Sequence, residues 1–405
     1  MQAAERVAGT DEVLRDERAA VAKPAIVIDA DRHVVEPLDL WKDRMPEHLR
    51  DRAPRKLTDH GKILGFAGLQ VPAKGFYGDD NPPNSTLVQK RFAEFTARGF
   101  SPDVQVEAMD VDGIDVAVLF TTGGLQIMGV DGLPSELTTA ACHVYNDWLR
   151  DFCDGGAGRL VGVGLVDPRD VDGACKEARR CIEDLSFAGV MLRPNPVNGK
   201  SWHDPVYSPL WSELERLDVP VCFHEGSTVL LPQVGPDRFG NVWPLWHAVS
   251  HPVEQQLAIT SMVLGGVLEK HPGLRCGFLE CGASWLPYYM WRLDEHAELD
   301  LSGWGDGYGI HLDRAPSEYI AERCFVSTES DEGPVIATLR QTSGFNVMWA
   351  SDFPHPDAKY PGAISGFLRL DGLDADFAES VLHTNPLAFY GQALTDAVAR
   401  RVSQP

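Results

Sequence analysis

The chain has no Cys-x-x-Cys pair, no unbroken run of about 18 apolar residues, no repeat at a fixed period and no low-complexity tract. Paired-cysteine metal motifs, membrane spans and solenoid architectures are therefore not expected. Its eight cysteines stand singly, and several lie within apolar runs (Cys222, Cys276, Cys324). Small buried thiols are expected there rather than disulfides, in the reducing setting of a cytoplasm. The first residues lack the apolar core of a signal peptide. Basic side chains are also scarce, 36 against 59 acidic ones, for a formal net charge of −23. Such an excess repels nucleic acid and anionic membrane surfaces, so neither is an expected partner. An anionic small-molecule substrate is not excluded, because a few buried cations can set the local field.

What is present is material for a large core: 405 residues, 44% hydrophobic and 23% charged. That is long for one domain, but barrels often exceed the usual size. Residues 1–24 read as a polar tail or arm. Beyond them, short apolar runs alternate with longer amphipathic stretches: Ala25–Ala30, Ile114–Phe120, Leu160–Val166, Ala188–Leu192, Val219–Phe223, Arg275–Leu279, Cys324–Ser327 and Val347–Ala350. Each has the length of a strand buried on both faces, with room for a helix between most of them. Eight such repeats predict an α/β fold, a (β/α)8 TIM barrel over residues 25–395, although a doubly wound open sheet reads similarly. Helical spacing marks Ser135–Phe152, Val171–Leu185, Pro252–Lys270 and Ser284–His296. Residues 38–104, rich in Pro, Gly and Asp around Gly75–Ser85, are too long for one crossover and read as a lid-like insertion after the first strand. Gly226–Val249 reads as a second insertion, after the fifth, and 396–405 as a C-terminal tail.

The informative feature is where polar residues interrupt the apolar runs. The first run ends in Asp31-Arg32-His33, the fifth in His224-Glu225, the sixth in Glu280, and the eighth in Asp352, with His355 beyond it. In a parallel barrel these strand ends converge on one pole, where active sites lie. Asp31 and His33 are two residues apart, so an extended strand points both to one side. With His224 and Asp352 they make a two-nitrogen, two-oxygen set suited to one divalent ion, zinc first and manganese second.

In order along the chain come Asp29-Ala-Asp-Arg-His-Val-Val-Glu-Pro37, Tyr145-Asn-Asp-Trp148, Gly189-Val-Met-Leu-Arg193 and Val219-Pro-Val-Cys-Phe-His-Glu225. Phe278-Leu-Glu-Cys-Gly282 with Trp285-Leu-Pro287 follows, and then Ala350-Ser-Asp-Phe-Pro-His355. Over about residues 25–391 this series resembles the amidohydrolase-2 branch of the metal-dependent barrel hydrolases. That branch includes aminocarboxymuconate semialdehyde decarboxylase and resorcylate-type decarboxylases. The resemblance implies Asp31, His33, His224 and Asp352 as metal ligands, with Asp352 near the water or substrate proton. The family's dimers suggest a homodimer. One departure matters: several family decarboxylases carry a His at the end of strand six, where this chain has Glu280.

That departure makes the first expectation a metal-dependent hydrolase acting on a small organic substrate, aromatic or carboxylate-bearing, through a metal-activated water with Asp352 as base. The alternative is a metal-dependent non-oxidative decarboxylase or C–C-cleaving enzyme, and a third reading is a non-catalytic binding barrel. Glu280 is a candidate general base, further metal ligand or hydrogen-bond acceptor. His251, read at a helix start before Pro252, is a candidate for proton transfer or a plain capping position. Arg193 is a candidate clamp for a substrate carboxylate, or else one half of a structural ion pair. Trp285 is a candidate substrate wall or a core residue, and His355 is expected to bond to a ligand rather than to the metal.

Overall fold

The computed structural model describes residues 20–403, apart from 38, 57–62, 67–68, 73–90, 227–231, 241, 300–310, 341–345 and 356. All eight apolar runs become strands: β1 (Ile28–His33), β2 (Val116–Phe120), β3 in two pieces (Leu160–Gly162 and Gly164–Leu165), β4 (Val190–Leu192), β5 (Val221–His224), β6 (Cys276–Leu279), β7 (Cys324–Thr328) and β8 (Val347–Trp349). Every residue in them is buried. Burial on both faces explains why the runs are continuously apolar rather than alternating.

Each strand pairs in parallel with its neighbours in chain order, with Ile28 opposite Val116, Val190 opposite Val221 and Leu279 opposite His224. At the break in β3 the ladder continues through Val163 N–H to Leu119 O (3.1 Å) and Gly164 N–H to Gly189 O (3.0 Å). Gly162 is required there, because a Cβ on it would lie 2.6 Å from the Phe187 ring. The last strand is tied back to the first where the chain leaves β8: Asp352 N–H donates to Asp31 O (3.2 Å) and His33 N–H to Phe353 O (2.9 Å). This is the parallel barrel expected from the sequence, with helices between its strands.

Helix α1 spans Ser135–Asp154 and α2 Val171–Glu183. The Asp170 side chain caps α2 by accepting from Gly173 N–H (3.0 Å). Helix α3 does not begin at Pro252, as the sequence suggested, but spans Trp243–Val263 with Pro252 inside it. The second insertion is therefore partly helical, and His251 lies within the helix rather than at its start. Helix α4 is Leu286–Leu299, and α5 is Gln392–Ser403. Leu394 and Ala397 of α5 are buried, so residues 396–403 belong to a packed helix and not to a tail.

The described part of the first insertion holds a small antiparallel sheet (Arg55–Lys56, Ile63–Phe66, Leu69–Pro72). Phe92 and Phe100, near its end, pack with Phe353 just beyond β8. Gly75–Ser85 lies outside the described residues, as does the expected arm up to residue 19. Among the described residues no helix is long and apolar enough to cross a membrane, and all eight cysteines are free.

Candidate active site

The polar strand ends meet as the register requires. Asp31, His33 and His224 are fully buried. The ring nitrogens His33 Nε2 and His224 Nε2 stand 3.1 Å apart. Asp31 reaches both, at 3.7 Å from His33 and 3.3 Å from His224, and Asp352 Oδ1 lies 3.3 Å from His33 Nε2. The other nitrogen of each ring is committed to a backbone carbonyl: His33 Nδ1–H donates to Thr121 O (2.9 Å) and His224 Nδ1–H to Glu225 O (2.7 Å). With those protons assigned from the hydrogen bonds, both Nε2 atoms face inward toward Asp31, neither of whose buried oxygens accepts a hydrogen bond.

Two nitrogens facing each other beside unpartnered carboxylate oxygens require a positive charge between them. In the protein alone a proton supplies it. Burial opposes a charged His224, but Asp31, with help from Glu280 and Asp352, raises it to about 9. His33, lowered well below its ordinary value by burial and by His355 and His224, stays neutral. A divalent cation replaces that proton naturally, and imidazole nitrogens with carboxylate oxygens are its usual donors. The residues therefore fit a metal ion.

One more carboxylate, Glu280, joins Asp352 at the strand ends. Glu280 and Asp352 both hold left-handed backbone, with φ of 51° and 54°. Such a conformation is uncommon for residues other than glycine, and such strain often accompanies functional sites. Burial, then Glu280 and Asp357, push the Asp352 carboxyl well above its usual range, and burial raises Glu280 as well. His355 Nδ1 lies 2.8 Å from Asp352 Oδ1, and its Nε2 lies 3.2 Å from Thr122 Oγ1.

A cavity of about 320 Å³ opens beside this group, within the size range of small-molecule pockets. Its walls include His247, His251, Glu280, Glu329, Asp352 and Asp357, with Lys359 as the one lysine or arginine among the described lining residues. Burial, followed by Asp357 and Glu280, pushes Glu329 up to about 7. His247, Glu329 and Asp357 had not been singled out in the sequence. The signal for His247 was present, four residues before His251 and so one helical turn away. Nothing local marks the other two.

Two expectations need correction. Arg193 is not free to clamp a substrate: its guanidinium is buried and pairs with Glu225, while also donating to Asn195 Oδ1 (3.1 Å), Leu125 O (3.1 Å) and Gly226 O (2.8 Å). Trp285 is not in the cavity wall; it packs at the edge of the core and donates its indole N–H to Gly282 O (2.8 Å).

A parallel barrel with a buried His/carboxylate donor set at the C-terminal ends of its strands defines a metal-dependent barrel enzyme. The chain belongs to the amidohydrolase family, whose model matches residues 28–392. It is 28% identical over 305 residues to 2-amino-3-carboxymuconate-6-semialdehyde decarboxylase of Dictyostelium discoideum, covering 75% of this chain and 80% of that one. Among solved structures it resembles an amidohydrolase of Mycobacterium avium subsp. paratuberculosis (TM-score 0.71, 21% identity, 92% and 99% of the two chains). It also resembles 5-carboxyvanillate decarboxylase of Novosphingobium aromaticivorans, complexed with manganese and 4-hydroxy-3-methoxy-5-nitrobenzoic acid (TM-score 0.65, 19% identity, 90% and 96%). Most of the relatives with a named activity are decarboxylases; 2-keto-4-carboxy-3-hexenedioate hydratase of Sphingobium sp. also matches, at 24% identity over 136 residues and 32% of this chain. That majority overturns hydrolysis as the leading reading and favours the alternative, loss of CO2. The ion found in the solved relative is manganese, where the sequence put zinc first.

Proposed function

We propose that the chain is a metal-dependent, non-oxidative decarboxylase of small aromatic or unsaturated carboxylic acids, and that manganese is its ion. The observation that carries the reading is the pair of facing His33 and His224 nitrogens over unpartnered Asp31, with Asp352 at its edge and open to the cavity. Asp31, His33, His224 and Asp352 would hold the ion, which would supply Lewis acidity toward a substrate carboxylate and an oxygen beside it. Asp352 then delivers a proton to the carbon that bears the carboxylate. The bond to the carboxyl carbon breaks, its electron pair returns to the substrate carbon framework, and CO2 leaves with the new C–H bond in its place. His355, at 2.8 Å, is positioned to return a proton to Asp352. Burial of the site at the C-terminal ends of the strands keeps bulk water from competing for that proton.

The test is isotopic. With a substituted hydroxybenzoic acid in D2O, the product should carry one deuterium at the vacated carbon and CO2 should be released in equal amount. Incorporation of oxygen from labelled water into the product, without CO2, would refute decarboxylation.

A further inference from the structure

Glu280 belongs to two groups of donor atoms at once. On one side it stands with His33, Asp352 and His355, and on the other with His247 and His251; within each group the donor atoms all lie within 4.8 Å of one another. The second group is not explained by the decarboxylase reading. His247 and His251 are four apart on α3, so both project from one face of the helix, and their rings are 4.3 Å apart between centroids. Both also line the cavity, opposite the end of β6. From that end the left-handed turn at Glu280 brings its carboxylate to 3.5 Å from His251 Nε2 and 3.7 Å from His224 Nδ1. Both distances exceed hydrogen-bond reach.

The hydrogen bonds again orient the ring. Ser250 Oγ lies 3.1 Å from His251 Nδ1 and engages that side of the ring. His251 Nε2 is the ring nitrogen left facing the Glu280 carboxylate, at 3.5 Å. Two imidazoles at i, i+4 on a helix with a carboxylate from another element are a familiar donor set for zinc, and they leave coordination positions open to the cavity.

We propose that His247, His251 and Glu280 form a second divalent-cation site, suited to a zinc-like ion, with Glu280 shared between it and the Asp31 site. The second ion lies on the cavity side, where it offsets the carboxylates of Glu329 and Asp357 and offers a binding point for an anionic or oxygen-rich part of the substrate. Glu280, whose role the sequence left open, becomes a bridging ligand.

Metal stoichiometry tests this independently of turnover. Chelator-stripped full-length protein is titrated calorimetrically with Zn2+ alone, and two equivalents per chain are expected. The His247→Ala/His251→Ala double variant should bind one, and Asp31→Ala should lose the other. Far-ultraviolet circular dichroism checks that each variant is folded; His251→Gln, closer in size, serves if the double variant is not. One equivalent in the unaltered protein, undiminished by the folded α3 variants but removed by Asp31→Ala, overturns the second site and leaves the first standing. Two equivalents that persist in the α3 variants overturn it equally. An Asp31→Ala protein that keeps both equivalents counts instead against the first site, and so against the decarboxylase reading.

Discussion

Asp29 accepts two hydrogen bonds from Ser351, one from its backbone N–H (3.0 Å) and one from its hydroxyl (2.5 Å). The residues are far apart in sequence, and their contact joins the first barrel strand to the exit of the last. Arg32 completes the joint: it pairs with Asp29 at 3.3 Å, donates to Gln105 Oε1 (2.7 Å) and lies over the Phe353 ring at 4.1 Å. Asp31 and Asp352, both proposed ligands, stand directly beside this seam.

Replacing Asp29 should therefore damage fold and site together. Asp29→Ala leaves the buried Arg32 guanidinium without its counter-charge, a change that typically costs about 3–5 kcal/mol. The expected result is a matching fall in urea-unfolding free energy. A loss under about 1 kcal/mol would show that the seam does not depend on this carboxylate.

Asp31→Ala and His224→Ala should each lower manganese content and activity, because each removes one of the donor atoms that meet at the buried centre. Elemental analysis of protein purified in the presence of manganese is the check. Full occupancy in both variants would exclude these residues from the metal set.

Asp352→Asn keeps the shape and one coordinating oxygen but cannot supply the proton. Metal content should stay near that of the parent protein while turnover falls by about two orders of magnitude or more. Near-normal turnover in the metal-replete variant would remove Asp352 from the proton-transfer step.

Glu177 offers a pH test away from the site. On α2 and buried against α1, it accepts from Asn146 Nδ2 (2.7 Å) and pairs with Arg180 (2.7 Å) and His143 (2.9 Å). Burial works against its charge, but His143, Arg180 and Asn146 outweigh it and hold the carboxyl at about 2, against 4.5 ordinarily. Because the folded value is the lower one, the stabilisation is complete above pH 4.5 and is lost as pH falls toward 2. It amounts to at most about 3 kcal/mol. Unfolding free energy should drop more steeply below pH 4.5 in the parent protein than in Glu177→Gln; parallel slopes would contradict the assignment.

Asn146 shows how a short motif was legible before its purpose was. Tyr145-Asn-Asp-Trp148 stood out in the sequence only as part of the family series. In the structure Asn146 accepts from Leu165 N–H and donates to Leu165 O, both at 2.8 Å, and so holds the second piece of β3 against α1. Glu280 is the opposite case. Its place at the end of strand six was plain, but three roles stayed open until the positions of His247 and His251 were known.

The sequence by itself determined the eight strands, the pole at which they end in His and carboxylate, and the four residues that converge there. Those properties follow from residue type and from the two-residue alternation of a strand, both of which are local. Tertiary structure decided the rest. It paired Arg193 with Glu225, carried α3 through Pro252 so that His247 and His251 share a face, and closed the seam between Asp29 and Ser351. Each depends on which groups packing brings within a few ångströms across long stretches of chain. A buried charge takes the partner that the fold supplies, and no spacing along the sequence encodes that choice.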